Sequence, residues 1–437
     1  MTDTNSFLAT AGTPVPPPPA DYGATPADYT PLTEFGAVPD GWVWGVATAA
    51  HQIEGGNVNN DWWLFEHTPG SGTTESSADA CDSWNRWLED LQLVKKMGLD
   101  AYRFSLEWSR IEPAEGEFSL VALEHYRQIL VAAHEMGLKA YVTFHHFTTP
   151  QWAADKGGWA NPEIVDLFAR YVDVTVQHLG DQIDSAATFN EPNIVAFMGY
   201  FTGIFPPGIK GDLAGFRTAT DNLVAAHKRA RDVLKAGPGD FPVGLTLAVG
   251  DLIVYPEPDY ASGGMRPTEL PTASDENWFG YLMSGAYYEA AREDDYIGVQ
   301  TYMTMHMGPD GQELPKPEGW RLTQMGWTFT PEALGQTVRQ AAAATGVPVI
   351  VTENGVATAD DADRIEYYSR SLAALRAAMD DGVDVRGFFG WSLLDNFEWA
   401  EGYRPTFGFV AVDRLTFERT PKPSAEWYGA LVASTRR

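Results

Sequence analysis

Thr188-Phe189-Asn190-Glu191-Pro192 follows Asp184-Ser185-Ala186-Ala187, which reads as a short strand leaving a polar turn. Pro192 has no N–H to add to a β-ladder, and its ring disfavours a helical conformation at the residue before it. Glu191 therefore belongs where a strand ends and a loop begins. A second stretch has the same form: Val347-Pro348-Val349-Ile350-Val351-Thr352-Glu353-Asn354-Gly355. Its apolar run ends in Glu353, and Asn-Gly breaks the strand. One such Glu alone reads as a surface carboxylate at a strand end. Two of them call for a reading of everything around them.

Working outward, strands and helices alternate. Strand patterns cover Trp42–Thr48, Ala101–Ser105, Lys139–Phe144, Ser185–Phe189, Pro242–Ala248, Tyr296–Gln300, Pro348–Thr352 and Val385–Gly390. Helical spacing covers Asp82–Met97, Leu120–Met136, Ile164–Leu179, Leu213–Lys235, Tyr281–Arg292, Pro331–Thr345, Asp361–Met379 and Pro423–Ser434. Gly98, Gly137, Gly180 and Gly346 stand as C-terminal stop signals. Eight such units predict the α/β class, with a single (β/α)8 TIM barrel. Asp251–Asp275 and Met303–Phe329 are too long and polar for ordinary connections and predict long βα-loop insertions.

Composition bounds the rest. The chain has 437 residues, and 44% of them are hydrophobic, enough for one large core. Residues 1–38, with Pro16-Pro17-Pro18-Pro19, are too poor in apolar surface to order alone and predict a Pro-rich extended or disordered tail. Residues 39–437 carry no comparable linker and read as one domain. The formal net charge of -29 disfavours nucleic acid and anionic lipid as partners. Cys81 is the single cysteine, so no internal disulfide forms; it reads as a small buried apolar residue. No stretch approaches the roughly 18 apolar residues of a membrane span, and no secretory signal opens the sequence, so the expected location is cytoplasmic. The 15 Trp fit a bulky core and equally a carbohydrate site, where sugar C–H faces pack on aromatic rings.

In a parallel barrel the reacting residues come from the C-terminal strand ends. His51, Gln52 and Glu54 follow the first strand. Arg103 lies on the second, before Glu107-Trp108-Ser109-Arg110. His145, His146 and Phe147 follow the third, Asn190 and Glu191 the fourth, Gln300 and Tyr302 the sixth, and Glu353 the seventh. Trp391 and Asp395-Asn396-Phe397-Glu398-Trp399 follow the eighth. Two carboxylates so placed are what a retaining glycosidase needs, with carboxyls about 5–5.5 Å apart. His145 and His146 are neighbours on a strand and face opposite ways, so one metal ion does not suit both, and no metal or other cofactor is expected.

Several segments, in this order, resemble family 1 glycoside hydrolases of the β-glucosidase type: Trp44 to Gly55, Tyr102-Arg103-Phe104-Ser105, Trp108-Ser109-Arg110-Ile111, Thr188 to Pro192, Val351 to Gly355, and Trp391 to Trp399. The resemblance runs from about residue 40 to the C-terminus and makes residues 39–437 the catalytic domain. It implies Glu191 as acid/base and Glu353 as nucleophile, with Arg103 and Tyr302 supporting Glu353. It implies that Gln52, His146, Asn190, Glu398 and Trp399 hold the non-reducing sugar, that Trp391 is its stacking platform, and that Trp327 packs on the leaving-group sugar. The implied substrates are small β-glucosides or cello-oligosaccharides, with galactosidase, fucosidase and transglycosylating activity left open. The competing readings are a 6-phospho-β-glycosidase, which the carboxylate of Glu398 disfavours, and an inert sugar-binding relative, which would lack one of the two carboxylates. Four positions depart from the family pattern. Phe147 stands for Trp, Gln300 for Asn, His51 for a common aromatic, and Glu107 is an extra carboxylate expected to pair with a nearby Arg.

Overall fold

The computed structural model describes residues 12–268 and 278–436. Eight parallel strands close into a barrel in chain order: β1 (Val43–Ala47), β2 (Ala101–Ser105), β3 (Lys139–His146), β4 (Ser185–Asn190), β5 (Val243–Ala248), β6 (Tyr296–Thr301), β7 (Val349–Asn354) and β8 (Val385–Trp391). β8 pairs back onto β1, with Gly387 opposite Val43 and Trp391 opposite Ala47, so no edge is left open. Every barrel strand lies within two residues of its sequence-predicted span. β3, β4 and β7 run on to their polar ends at His146, Asn190 and Asn354.

The strands are buried on both faces. Val43, Ala101, Tyr296, Ile350 and Phe389 fill the barrel interior. Val46, Val142, Ile297, Val299 and Val351 face the helix layer. The helices form because each presents an apolar stripe and a local start signal. Ser119 caps Leu120–Glu135 by accepting from Ala122 N, and Asp212 caps Leu213–Ala236 by accepting from Gly215 N. Gly180 ends the helix Ile164–Leu179 as expected, but in a right-handed conformation, and the chain continues through a 3₁₀ turn, Gly180–Gln182. The Tyr281–Arg292 helix is also split, into a π-helical Tyr281–Gly285 and an α-helical Ala286–Ala291.

The two long insertions are not structureless. Asp251–Val254, Gly264–Pro267 and Thr304–Met307 form a second sheet, and Gly12–Val15 joins its edge. Residues 269–277 of the first insertion and residues 1–11 of the expected tail lie outside the described residues. Cys81 is buried, with its thiol pushed up to about 12 by burial. Among the described residues no helix is long and apolar enough to cross a membrane.

Candidate active site

Arg103 lies two residues beyond Ala101 on the inward face of β2 and is almost wholly buried. Its guanidinium donates from Nη1 to Glu353 Oε1 at 2.6 Å and from Nη2 to Asn190 Oδ1 at 2.7 Å. One cation thus draws the ends of β4 and β7 together. Tyr302 Oη donates to Glu353 Oε2 at 2.6 Å, so each oxygen of Glu353 has a strong donor.

Local irregularities aim these side chains. The register between β4 and β5 shifts between Ala187 and Asn190. Thr188 bonds His227 and Phe189 packs on Phe168, so two consecutive residues face the helix layer. Asn190 is thereby turned inward. On β7 the register shifts between Val351 and Glu353. Gly298 faces the interior opposite Thr352, and a Cβ there would lie 2.8 Å from Thr352 Oγ1 and 2.5 Å from Thr246 Cγ2. Thr352 and Glu353 therefore both face inward. Glu191 follows β4 in the left-handed conformation, φ 45° and ψ 57°, with its N–H bonded to Thr246 O at 2.8 Å. Pro192 then starts the short helix Pro192–Ala196, where the sequence reading expected a loop; its fixed φ suits the first helical position.

Burial pushes both carboxyls upward. At Glu191 the charge of Glu353 adds to burial, Arg103 opposes it, and Glu398 adds a smaller push, so its pKa lies well above the usual range. At Glu353 the Arg103 guanidinium and the Tyr302 hydroxyl both oppose burial. The pair titrates as one unit, and the proton it holds rests on Glu191. Burial and the charge of Glu353 hold Tyr302 as a neutral donor. Burial, with Arg103 nearby, keeps His146 neutral.

The remaining expected residues line the same face. Gln52 Nε2 donates to Phe397 O at 2.7 Å and Asn396 Oδ1 at 3.1 Å, and lies 3.4 Å from Glu398 Oε2. Glu398 is half-buried; burial, with Glu353 and Glu401 adding, pushes its carboxyl up to about 8. The His146 ring lies parallel to both Trp391 and Trp399, each with centroids 6.0 Å away. Half-buried Trp327 lies beside Tyr302, centroids 5.6 Å apart. Gln52 Oε1, His146 Nδ1 and Gln300 Oε1 are buried with no partner among the described residues. Buried polar atoms of this kind call for a hydroxylated ligand or water.

The departures have definite consequences. Phe147 packs on Trp399 and Phe205. Gln300, one methylene longer than Asn, donates to Asn190 Oδ1 at 2.8 Å. His51 stacks on Trp399 and lies 3.6 Å from Glu66. The expected Glu107–Arg pair does not form: Arg110 pairs with Glu54 at 2.7 Å, and Glu107 instead accepts from Ser109 and Thr148. His145 turns to Trp159 and Phe189, away from His146.

One residue here escaped the sequence reading. Thr246 on β5 donates to Phe189 O at 3.2 Å and lies 3.3 Å from both Asn190 Oδ1 and Arg103 Nη2. Asn396, already named at the eighth strand end, orients Gln52. The one sign of Thr246 was a hydroxyl within the apolar run Val243–Ala248.

A barrel with two buried, interacting carboxyls at its C-terminal mouth, one of them bound by an arginine and a tyrosine, walled by indoles and amides, defines a glycoside-cleaving enzyme. The model of glycosyl hydrolase family 1 matches residues 35–297 and 286–436. Beta-glucosidase A of Thermotoga maritima is 33% identical over 440 residues, 90% of this chain and 97% of that protein. The solved apo structure of a beta-glucosidase 1317 is 41% identical, with a TM-score of 0.79, covering 90% of this chain and 98% of that one. A beta-glucosidase from Thermotoga maritima in complex with deoxynojirimycin superimposes with a TM-score of 0.82 at 32% identity, covering 92% of this chain and 99% of that one. The chain belongs to glycosyl hydrolase family 1.

Proposed function

We propose that the chain is a retaining, exo-acting β-glucosidase that removes terminal non-reducing β-D-glucosyl residues from small β-glucosides or cello-oligosaccharides. The observation that carries this reading is the asymmetry of the two carboxyls. Glu353 is gripped by Arg103 and Tyr302, whereas the Glu191 proton is held by burial and by the charge of Glu353.

Glu353 then attacks the anomeric carbon while Glu191 gives its proton to the departing glycosidic oxygen. The products of this step are the freed aglycone and a glycosyl ester on Glu353. Esterification removes the charge of Glu353, which is the largest charge raising Glu191. Glu191 becomes a stronger acid and remains ionised, ready to take a proton from water. That water attacks the anomeric carbon, breaks the ester and regenerates Glu353.

Asn190 Oδ1 is occupied by Arg103, Gln300 and Thr246, which leaves its NH₂ group for the sugar 2-hydroxyl. Gln52, His146, Glu398 and Trp399 hold the far hydroxyls, Trp391 supplies a stacking face, and Trp327 borders the leaving group. NMR of the first-formed sugar tests the reading. The β anomer from a β-glucoside is expected, and first-formed α product contradicts it. A 6-phosphoglucoside cleaved faster than the glucoside with the same leaving group would replace it with a 6-phospho-β-glycosidase.

A further inference from the structure

Residues 12–34 precede the family match, which begins at residue 35. They run as a strap from the loop face of the barrel towards its base. Gly12–Val15 pairs antiparallel with Gly264–Pro267. That edge continues through Asp251–Val254 to Thr304–Met307, which starts two residues after Tyr302. The Tyr22 ring then packs at 4.8 Å on Trp320 and 5.3 Å on His306. Tyr22 O accepts from Arg321 N at 3.0 Å. Lower down, Trp427 donates to Leu32 O at 2.9 Å, and Leu32 N donates to Ser369 on the helix Asp361–Asp380.

Arg321 opens a hairpin with Trp327 near its tip. Phe329 N bonds Arg321 O at 2.9 Å, Thr323 N bonds Trp327 O at 2.8 Å, and Leu322 bridges Thr328. The base of that hairpin rests on the strap. Arg321 Nη1 reaches Thr25 Oγ1 at 3.2 Å, and Thr25 donates to Glu366, which also binds Arg321. Gly23 has φ +85°, and a Cβ there would lie 2.9 Å from Phe329 O. A larger residue at this point is strained in its backbone and pushed off the hairpin.

We infer that the strap of residues 12–34 is a positioning element for the leaving-group side of the site, acting through Tyr22, Gly23 and Thr25 on the hairpin that carries Trp327. The inference rests on the proposed role of Trp327. A strap that fixes only this side changes discrimination among leaving groups and leaves the sugar-holding residues alone.

The test compares full-length wild type with Tyr22→Ala, Tyr22→Phe, Gly23→Val and the near-isosteric Thr25→Val. For each, kcat/KM is measured on 4-nitrophenyl and methyl β-D-glucoside, with inhibition by deoxynojirimycin, which has no leaving group. Tyr22→Ala and Gly23→Val are expected to lower the aryl-to-methyl ratio about fivefold or more, Thr25→Val about twofold, and Tyr22→Phe not at all. Deoxynojirimycin inhibition should stay within about twofold in every case. An unchanged ratio in the folded variants, or an equal loss on both substrates and the inhibitor, overturns the inference. Thr25→Val preserves side-chain volume, so it decides the matter if the other two fail to fold. Trp327→Ala separates the two claims. If it leaves the ratio unchanged, the role of Trp327 is what fails. If it shifts the ratio while the strap variants do not, the strap is packing alone.

Discussion

Arg103 decides which carboxyl keeps its proton. It is shared between Glu353 and Asn190, so it opposes the effect of burial on Glu353 while fixing the residue beside Glu191. Glu191 has no such donor among the described residues, and burial together with the charge of Glu353 raises its pKa well above the usual carboxylate range, which favours the acid form. Removing this acid should hurt only substrates that need a proton on leaving. Glu191→Ala is expected to lower kcat/KM on alkyl β-glucosides by roughly 10²–10⁴-fold, with far less loss on a 2,4-dinitrophenyl β-glucoside. The basic limb of the pH profile should vanish with it. Equal losses on both substrates, or a retained basic limb, would count against the assignment. Both carboxylates were legible in the sequence because Pro192 and Asn354-Gly355 end their strands at definite residues. Thr246 was not, because its importance lies in what faces it across two strands, and no local motif encodes that.

Strand irregularities do the aiming. Regular alternation along β4 would turn Phe189 inward and Asn190 outward; the shifted register turns both the other way. On β7 the shift puts Glu353 on the inward face beside Thr352. Sequence patterning found both strands but not these shifts, since register is a relation between partners and no glycine marks either shift. Thr246 links the two irregular ends by touching Asn190, Phe189 O and Arg103. Thr246→Val keeps the shape and removes the hydroxyl. A net hydrogen bond is worth about 1 kcal/mol, or roughly fivefold in kcat/KM. That loss should appear on a β-glucoside and be smaller on its 2-deoxy analogue, since Asn190 is the group released. Steady-state kinetics on the two substrates checks it; an equal loss would mean that Thr246 serves the strand rather than Asn190.

At the scale of the molecule, the barrel was legible and the sheet above it was not. Eight strand–helix units recur along the chain, whereas the second sheet is built from four-residue strands contributed by three remote segments. A cavity of about 280 Å³ lies beside that sheet, bordered by Tyr22, Asp251, Arg266 and Arg370, with Asp251 and Arg266 already paired. The molecule also stores protons. Burial pushes Glu54 and Asp61 to about 7 and Glu398 to about 8. Each folded pKa lies above its unfolded value near 4, so the native state binds more protons between about pH 4 and 8. This stabilisation is complete below the unfolded values and is lost as pH rises through 7 to 8. Below about pH 6.5 the four histidines that burial keeps neutral, His125, His145, His146 and His306, pull the other way, so the unfolding temperature is expected to fall between about pH 6.5 and 8.5, and Glu398→Gln should flatten that slope. Thermal melts of both proteins across the range decide it, and a wild-type melting temperature that rises with pH would contradict the assignment.

The central claim is that Glu353 becomes covalently glycosylated. A 2,4-dinitrophenyl 2-deoxy-2-fluoro-β-glucoside slows the second step more than the first, so the ester should accumulate. Peptide mass mapping after brief incubation is predicted to find one fluoroglucosyl group, on Glu353, with activity lost in proportion to labelling. Labelling at another carboxylate, or complete turnover with no adduct, would contradict the account.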